Sequence, residues 1–285
     1  MIPGLYELIE EGSKFLVEQG FHVEDAKRDA ERLLLRSLGI SKSEIILTNP
    51  SSFDETVKRD FLSLLEKRGR HVPLQYIEGD TDFMDFSFRV SPDVLIPRPE
   101  TENLVQRILV ECGARAGESL TILDIGTGSG CILLSLLKYF PKSFGVGVDI
   151  SEKAIAMAKE NVARLGLRRQ ARFLASDFFD ALGKEKFDLI VSNPPYVSDI
   201  EWMGLAPEVK QEPRIALVSG STGLESYKKI ISDAREFLKE DGSLFFEVGW
   251  NQADLVCELL ESEGFKSVKK FLDDFGIERI VTAQV

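Results

Sequence analysis

The chain has 285 residues, of which 44% are hydrophobic, and it carries a formal net charge of -12 at pH 7. This length suits one large and one small domain, and the apolar content is high enough for a packed core, which excludes wholesale disorder. The acidic balance disfavours a dedicated nucleic-acid-binding protein, because its overall field repels phosphate.

No targeting, disulfide or metal signal is evident in the sequence. Residues 1–12 are acidic and lack the apolar stretch of a secretory signal, and the most apolar helical run, CILLSLL at 131–137, is too short to cross a bilayer. The three cysteines are scattered, and neither of the two histidines has a ligand-like neighbour. We therefore expect a cytoplasmic protein without a membrane span, a bound metal or a histidine-dependent nucleophile.

Residues 1 to about 70 are predicted to be helical. Apolar residues recur at helical spacing over 24–39 and over 53–69. Each run closes on a glycine, Gly39 or Gly69, as a C-terminal cap requires. Asn49-Pro50 breaks the pattern between the two runs.

A linker is predicted after these helices. The segment DFSFRVSPDVLIP (85–97) alternates in part and stops at prolines, which indicates a short β-hairpin or an extended connector. We therefore divide the chain into a helical domain at 1–74, a linker at 75–98 and a larger domain at 99–285.

Strands and helices alternate from residue 119 onward. Strand-like runs end at Ile125, Ile150, Asp177, Ser192 and Gly249. Among the first four of these runs, helical patterns over 131–140 and 151–166 separate one strand-like run from the next. Such alternation predicts a parallel sheet with helices on both faces, and the segments SVKKFLDD and ERIVTAQV predict a closing hairpin at its edge.

A glycine-rich loop, LDIGTGSGC at 123–131, joins the first strand to the first helix. Its glycines, Gly126, Gly128 and Gly130, permit a sharp turn and the close approach of a ligand, and the N–H groups at the helix start suit a carboxylate or phosphate. The loop is not a dinucleotide fingerprint, because Cys131 stands where the third glycine would be. Taken alone, it is also compatible with a plain strand-to-helix turn of an α/β protein.

Acidic residues follow the next two strands. Asp149 ends the second strand, where a carboxylate can accept hydrogen bonds from both hydroxyls of a ribose. Asp177 ends the third strand with Phe178 beside it, and the two suit an adenine amine and an adenine ring. Taken singly, Asp177 is equally suited to a helix N-cap and Phe178 to the core. In series they outline an adenosine pocket, and a loop unsuited to pyrophosphate favours S-adenosylmethionine over NAD.

The fourth strand, FDLIVS, delivers Asn193 to the carboxyl edge of the sheet, where open α/β folds bind ligands. Pro194 and Pro195 fix their own φ angles and lack N–H groups, so the corner is rigid and offers carbonyl acceptors. Together with the side-chain carbonyl of Asn193, these acceptors suit an NH2 group beside the flat face and hydroxyl of Tyr196. The alternative is a strand-ending turn without chemistry.

Such a corner suits methylation of a carboxamide or an aromatic amine, whose nitrogen lone pair is delocalised. Acceptors that hold both hydrogens and twist the nitrogen return electron density toward a methyl donor, and in-line positioning lowers the rest of the barrier. Prior deprotonation is not required, because the proton becomes acidic once the methyl group has transferred. The chemistry therefore needs no histidine or lysine base.

The order LDIGTGSG, VGVDIS, ASDFF, VSNPPY resembles class I S-adenosylmethionine-dependent methyltransferases that methylate amino groups. NPPY alone is shared with DNA adenine methyltransferases and does not specify the substrate. LIPRPETE (95–102), QEPRIALVSG (211–220) and FFEVGWNQ (245–252), with the helical N-terminal region, are similar to the peptide chain release factor glutamine N5-methyltransferase (HemK/PrmC) family. The resemblance implies a Rossmann-like domain, with a mostly parallel seven-stranded sheet and a C-terminal antiparallel hairpin, after a small helical domain.

The resemblance also implies an activity and a set of site residues. The activity is methyl transfer from S-adenosylmethionine to the side-chain amide N5 of the glutamine in the Gly-Gly-Gln motif of release factors 1 and 2. Cofactor contacts are implied for Gly126, Thr127, Gly128, Ser129, Gly130, Asp149, Asp177, Phe178 and Asn193. The glutamine would be held by Asn193, Pro194, Pro195 and Tyr196, with Asn193, Pro194 and Tyr196 as the catalytic residues.

One departure and several alternatives accompany this resemblance. Phe178 stands where the family often has tryptophan, and stacking on adenine should survive the exchange. The helical domain would help to recognise the release factor, and we expect a monomer that binds neither a membrane nor, stably, a nucleic acid. Glutamine methylation of a ribosomal protein, N6-methylation of adenine in nucleic acid, and a non-enzymatic binding module are the alternatives.

Overall fold

The structure is a computed structural model, and it describes residues 4–41, 44 and 54–285. The chain divides into two compact units. The first comprises residues 1–79 together with 207–211, and the second comprises 80–206 together with 212–285. No helix in the described part of the chain is both long and apolar enough to cross a membrane.

The first unit is helical, as predicted. Its helices are α1 (Leu5–Glu18), α2 (Val23–Leu38), α3 (Glu55–Gly69) and α4 (Leu74–Glu78). Apolar side chains at helical spacing meet in one core, whose most buried members are Leu8, Leu16, Ala26, Ala30, Leu33, Leu34 and Phe61. The buried guanidinium of Arg68 donates to Asp29 at 2.8 Å and to Glu208 at 2.8 Å, so the charge is paired inside this unit.

The two glycines predicted as helix caps behave differently. Gly39 caps α2 in the left-handed conformation, with φ of 66°, so this prediction is confirmed. Gly69 is the last residue inside α3, whose cap is Arg70, so the prediction for Gly69 is wrong. A Cβ at Gly69 would lie 2.8 Å from the ring of Phe15, which explains the glycine by close packing between helices. The predicted break at Asn49-Pro50 lies outside the described residues.

The second unit begins with a β-hairpin formed by β1 (Asp80–Phe83) and β2 (Phe86–Arg89). The hairpin predicted within 85–97 therefore starts earlier in the chain, and its first strand precedes that segment. After it, the chain runs without regular structure to α5 (Pro99–Cys112), which has Pro99 at its start as proline's fixed φ favours.

A seven-stranded sheet forms the centre of this unit. The strands are β3 (Thr121–Ile125), β4 (Phe144–Asp149), β5 (Ala171–Ala175), β6 (Phe187–Ser192), β7 (Leu238–Glu247), β8 (Lys266–Leu272) and β9 (Glu278–Gln284). Their order is β5-β4-β3-β6-β7-β9-β8. β9 runs antiparallel to both β7 and β8, and the other pairs are parallel. The predicted fold class and the C-terminal hairpin are confirmed.

Helices cover both faces of the sheet because the strand residues alternate between two apolar sides. Ile122, Leu189 and Phe245 pack on one side, with α5 and with α6 (Cys131–Tyr139) and α7 (Glu152–Arg164). Leu123, Ile190 and Phe246 pack on the other side. There they meet α9 (Glu225–Phe237) and α10 (Ala253–Ser262), which follow the short helix α8 (Asp199–Gly204).

The strand ends fix where polar residues can lie. β3 and β6 end at Ile125 and Ser192 as predicted, whereas the runs predicted to end at Ile150, Asp177 and Gly249 end at Asp149, Ala175 and Glu247. Ile125 and Phe246 both lie opposite Ser192 in the ladder. Gly126, Asn193 and Glu247 are consequently the next residues along three neighbouring strands, at one edge of the sheet.

Gly147→Ala tests the packing of this edge. A Cβ there would lie 2.5 Å from Cδ1 of Phe173 and 2.8 Å from Oγ1 of Thr127. We expect a loss of about 1–3 kcal/mol from overpacking, measured as a lower melting temperature. Gly113→Ala is the matched control, because its Cβ meets nothing within 4 Å and its φ is -59°. Equal melting temperatures for the two variants would contradict the packing account.

Candidate active site

A cavity of about 230 Å³ lies at the carboxyl edge of the sheet. The sequence-predicted residues that line it are Gly126, Gly128, Asp149, Asp177, Phe178, Asn193 and Pro195. Thr127, Ser129, Gly130, Pro194 and Tyr196 are not among its lining residues. The structure therefore brings together residues from four strand ends, and it separates those that face the cavity from those that shape its walls.

The glycine loop is held by its own backbone. Gly126, Gly128 and Gly130 have φ of 71°, 54° and 82°, values that side chains with a Cβ rarely adopt. The amides of Gly126 and Thr127 both donate to the carbonyl of Val148 at 2.9 Å. These N–H groups therefore fix the loop against β4, and the open side of the loop faces the cavity.

Thr127, Ser129 and Gly130 support the loop from behind. The hydroxyl of Thr127 donates to Oδ2 of Asp124 at 2.6 Å, and the carbonyl of Ser129 accepts from Nδ2 of Asn161 at 2.8 Å. Gly130 is the N-cap of α6, and a Cβ there would lie 3.2 Å from Leu134. Burial raises the pKa of Asp124 to about 7, against the opposing hydrogen bond from Thr127.

Asp149 links the loop to the start of α7. Its Oδ2 accepts from the amide of Gly128 at 3.0 Å, and its Oδ1 accepts from the amide of Ser151 at 2.9 Å. Burial raises the pKa of this carboxyl in spite of both bonds. A carboxylate has about four lone-pair sites, so acceptor capacity is left for a ligand in the cavity that it lines.

Asp177 and Phe178 lie in a turn after β5. Phe178 has φ of 48°, which is uncommon for an aromatic residue. Residues in such strained backbone conformations cluster at functional sites. Nζ of Lys229 lies 3.6 Å from Oδ2 of Asp177 and 5.2 Å from the centre of the Phe178 ring. The lysine thus forms an exposed ion pair with Asp177 and lies over the ring of Phe178, which lines the cavity.

The NPPY corner is fixed on both sides. Nδ2 of Asn193 donates to Oγ1 of Thr101 at 3.1 Å. The amide of Tyr196 donates to the carbonyl of Leu217 at 3.1 Å, and the carbonyl of Tyr196 accepts from Nε2 of Gln252 at 3.0 Å. Burial raises the pKa of the Tyr196 hydroxyl to about 12, so this group stays neutral at physiological pH.

Sequence reasoning missed the residues that support this edge. The buried carboxylate of Glu212 accepts from the guanidinium of Arg98 and from the amide of Ile96, at 3.0 Å for the latter. This joins the segment before α5 to the segment that carries Pro213 and Ile215 of the cavity wall. Arg98 and Glu212 stand in the family-specific segments, but no spacing rule pairs two residues so far apart in sequence.

Comparison with known proteins identifies the family. Residues 102–220 match the methyltransferase small domain, and residues 7–79 match the PrmC N-terminal domain. Release factor glutamine methyltransferase of Geobacter sulfurreducens is 38% identical over 276 residues, which cover 95% of this chain and 93% of the relative. The enzyme of the same name from Cereibacter sphaeroides is 38% identical, with 92% of each chain covered.

The chain belongs to the release factor glutamine methyltransferase family. This membership confirms the predicted enzyme class, an S-adenosylmethionine-dependent methyltransferase. Among solved structures, the T. thermophilus 16S rRNA N2 G1207 methyltransferase, in complex with AdoMet and guanosine, is similar in fold. It is 19% identical, with a TM-score of 0.54 over 72% of this chain and 49% of that chain.

The cavity has the chemistry that the family's cofactor needs. A glycine backbone without side chains offers close approach, Asp149 offers a carboxylate for hydroxyl groups, and Phe178 offers an aromatic face for a flat ring. The residues that line this cavity in the second unit therefore fit S-adenosylmethionine.

Asp149→Asn tests this fit. The amide keeps one oxygen but replaces the other acceptor with a donor, so it cannot accept from both Gly128 and Ser151. One of these two hydrogen bonds to the buried carboxylate is therefore lost, and such a bond to a charged group is worth about 1.5–3 kcal/mol. We expect the affinity for S-adenosylhomocysteine to fall about 10- to 100-fold as a result. Calorimetry measures the loss. The exposed residue Asp180 provides the control Asp180→Asn, and equal affinities for the two variants would contradict the assigned position.

Proposed function

We propose that this enzyme transfers a methyl group from S-adenosylmethionine to the side-chain amide N5 of the glutamine in the Gly-Gly-Gln motif of release factors 1 and 2. The main support is the orientation of Asn193. Its Nδ2 is committed to Thr101, so its Oδ1 is the atom left to meet an incoming group in the cavity that it lines.

The cofactor would be held by the residues of the glycine loop and of the next strand ends. When bound, it would supply a methyl group on a positively charged sulfur, which would keep the electrons of the C–S bond as a neutral thioether when the methyl group goes to the substrate nitrogen. Gly126 and Gly128 leave room for it, while Thr127, Ser129 and Gly130 keep the loop in shape. Asp149 would accept from the ribose, Asp177 from the adenine amine, and Phe178 would stack on the adenine.

The substrate amide would be held by the NPPY corner. Oδ1 of Asn193 and the carbonyl of Pro194 would each accept one of its two hydrogens, which turns the nitrogen lone pair away from its own carbonyl. The proline rings fix this geometry before binding, because Pro194 and Pro195 have restricted φ and no N–H group. Tyr196 would contribute its ring face as a neutral phenol. One proton then leaves the methylated nitrogen to water.

The other acceptors considered for the methyl group differ in the partner that they require. A glutamine of a ribosomal protein would use the same corner, and adenine in nucleic acid would need a basic path for phosphates. The net charge of -12 disfavours the second. Incubation with release factor, ribosomes or DNA, followed by mass spectrometry, distinguishes the three. Methylation of ribosomes or DNA with none on the Gly-Gly-Gln peptide would refute the proposal.

For the domains, we propose a helical substrate-recognition domain at 1–74, a linker with a short β-hairpin at 75–98 and the methyltransferase domain at 99–285. Support comes from the compact helical unit and from its match to the PrmC N-terminal domain. We further propose that the enzyme acts as a monomer in the cytoplasm, where release factors work, and that it binds no nucleic acid stably.

Asn193→Ala tests the catalytic corner. Loss of the amide oxygen removes one of two acceptors for the substrate nitrogen, so we expect methyl transfer to fall about 10²- to 10³-fold. Cofactor affinity should change much less, since several other residues line that cavity. Gln106→Ala removes an exposed carboxamide from α5 and serves as the control. Full activity in Asn193→Ala would remove Asn193 from the mechanism.

Hydrogen exchange on the full chain tests the role of the helical domain. We expect addition of release factor to slow exchange severalfold in α1, α2 or α3, because a bound partner suppresses local opening. S-adenosylhomocysteine alone should protect 123–131 and leave those helices unchanged. Protection by release factor that is confined to residues 80–285 would assign recognition to the catalytic domain alone.

A further inference from the structure

Glu247 is a buried acid next to the NPPY corner. β6 and β7 are parallel neighbours, with Ser192 opposite Phe246, so Asn193 and Glu247 are the next residues of the two strands. Glu247 is only 2% exposed, and its Oε2 has no hydrogen-bond partner among the residues that the structure describes. A buried, incompletely paired carboxyl is costly to stability, which suggests that the position serves the reaction.

Thr101 connects Glu247 to Asn193. Nδ2 of Asn193 donates to Oγ1 of Thr101 at 3.1 Å. Burial has the largest effect on the pKa of the nearby Glu247 carboxyl and raises it, while the side chains of Thr101 and Asn193 act to lower that pKa. The threonine hydroxyl accepts from Asn193, so its single proton is left to point toward the Glu247 carboxylate. An ionised carboxylate can only accept, so its presence at the end fixes the direction of the whole chain of hydrogen bonds.

This direction decides which atom of Asn193 faces the substrate. An amide can rotate by a half turn and exchange its oxygen and nitrogen with little change in shape. With the NH2 group toward the cavity, Asn193 would present hydrogens to the hydrogens of the incoming amide. With Nδ2 tied to Thr101, the oxygen is the atom left for the cavity that Asn193 lines.

We propose that Glu247 is a positioning residue that acts with Thr101 to hold Asn193 in the orientation that accepts a hydrogen from the substrate amide. This inference rests on the proposed function, and it does not require Glu247 to contact the substrate directly. The orientation of Asn193 would then depend on a residue at the end of β7, which lies outside the NPPY motif.

The ionised form of Glu247 is the one that this role requires. A protonated carboxyl gains an O–H donor, which allows it to donate to Thr101 and to reverse the chain. The titratable and charged groups that face it from neighbouring elements are Glu100 of α5, Cys131 of α6, Tyr196 after β6, Tyr227 of α9 and Arg279 of β9. Burial raises the pKa of Glu247 to about 7. The rate of methyl transfer should therefore rise with pH through about 7.

The same shift acts on stability in the opposite direction. Because the pKa of Glu247 is higher in the folded state than in the unfolded chain, the folded state binds more protons between the ordinary carboxyl value and about 7. Ionisation of Glu247 consequently destabilises the fold as pH rises through that window. Glu247→Gln removes this cost, so the variant should melt no lower than the wild type at pH 8.

The experiment compares the wild type with Glu247→Gln, Thr101→Val and Thr101→Ser. Glu240→Gln is the matched control, an exposed glutamate on the same strand. The measurements are kcat and KM for methylation of release factor, affinity for S-adenosylhomocysteine, and the pH profile of kcat. The wild type is assayed first, because absence of methyl transfer to release factor refutes the proposed function before the positioning role is in question.

We expect kcat to fall on the order of 10²-fold in Glu247→Gln and in Thr101→Val, with cofactor affinity retained. Thr101→Ser keeps the hydroxyl and should restore most of the rate. The wild-type acid limb near pH 7 should be absent in Glu247→Gln. That comparison also distinguishes Glu247 from Asp124, whose pKa burial raises to about 7 and whose titration would persist in the variant.

Three results would overturn the inference. The first is a Glu247→Gln enzyme with kcat within about twofold of the wild type. The second is an acid limb that remains in this variant. The third applies if Glu247→Gln does not fold. In that case, a wild-type pH profile of kcat without an acid limb would refute the role, and so would a Thr101→Val enzyme with the full rate.

Discussion

The candidate active site depends on the hydrogen bond that Asn193 donates to Thr101. An asparagine at a strand end has two nearly isosteric orientations, and a methyl-transfer site needs only the one that presents oxygen. The bond to Thr101, at 3.1 Å, uses the nitrogen on the protein side. The two prolines that follow then keep the backbone from rearranging around it. The orientation of the Asn193 amide is thus set by a contact made inside the protein.

The other residues at this edge of the sheet are also held in place by contacts inside the protein. Gly126 and Asp149 face the cavity, whereas Thr127 and Asn161 hold the loop from behind through the bonds that they make to Asp124 and to the carbonyl of Ser129. The cost is burial of acids whose pKa is raised, which lowers stability at neutral pH. A preorganised site of this kind trades stability for a fixed arrangement of acceptors.

Much of this fold was predictable from local pattern. The fully buried run at β6 and the amphipathic repeat at α2 each follow from spacing, because a strand buried on both faces is mostly apolar and a helix needs one apolar stripe. Gly39 was predicted as a cap for the same local reason. Gly69 has an equivalent sequence signal, yet a glycine is needed there because the ring of Phe15, from another helix, packs closely against it. Sequence context does not distinguish these two causes.

By itself, the sequence determined the class of the fold, the family and the acceptor groups of the NPPY corner, because these depend on residue type, period and backbone restriction within short segments. Only the tertiary structure decided how the corner is held. Thr101 is 92 residues from Asn193, and Glu247 enters from a different strand. Strand register places Glu247 beside Asn193 at one edge of the sheet, and the packing of α5 on the sheet brings Thr101 to the same edge. Neither register nor helix packing can be deduced from a short segment of sequence.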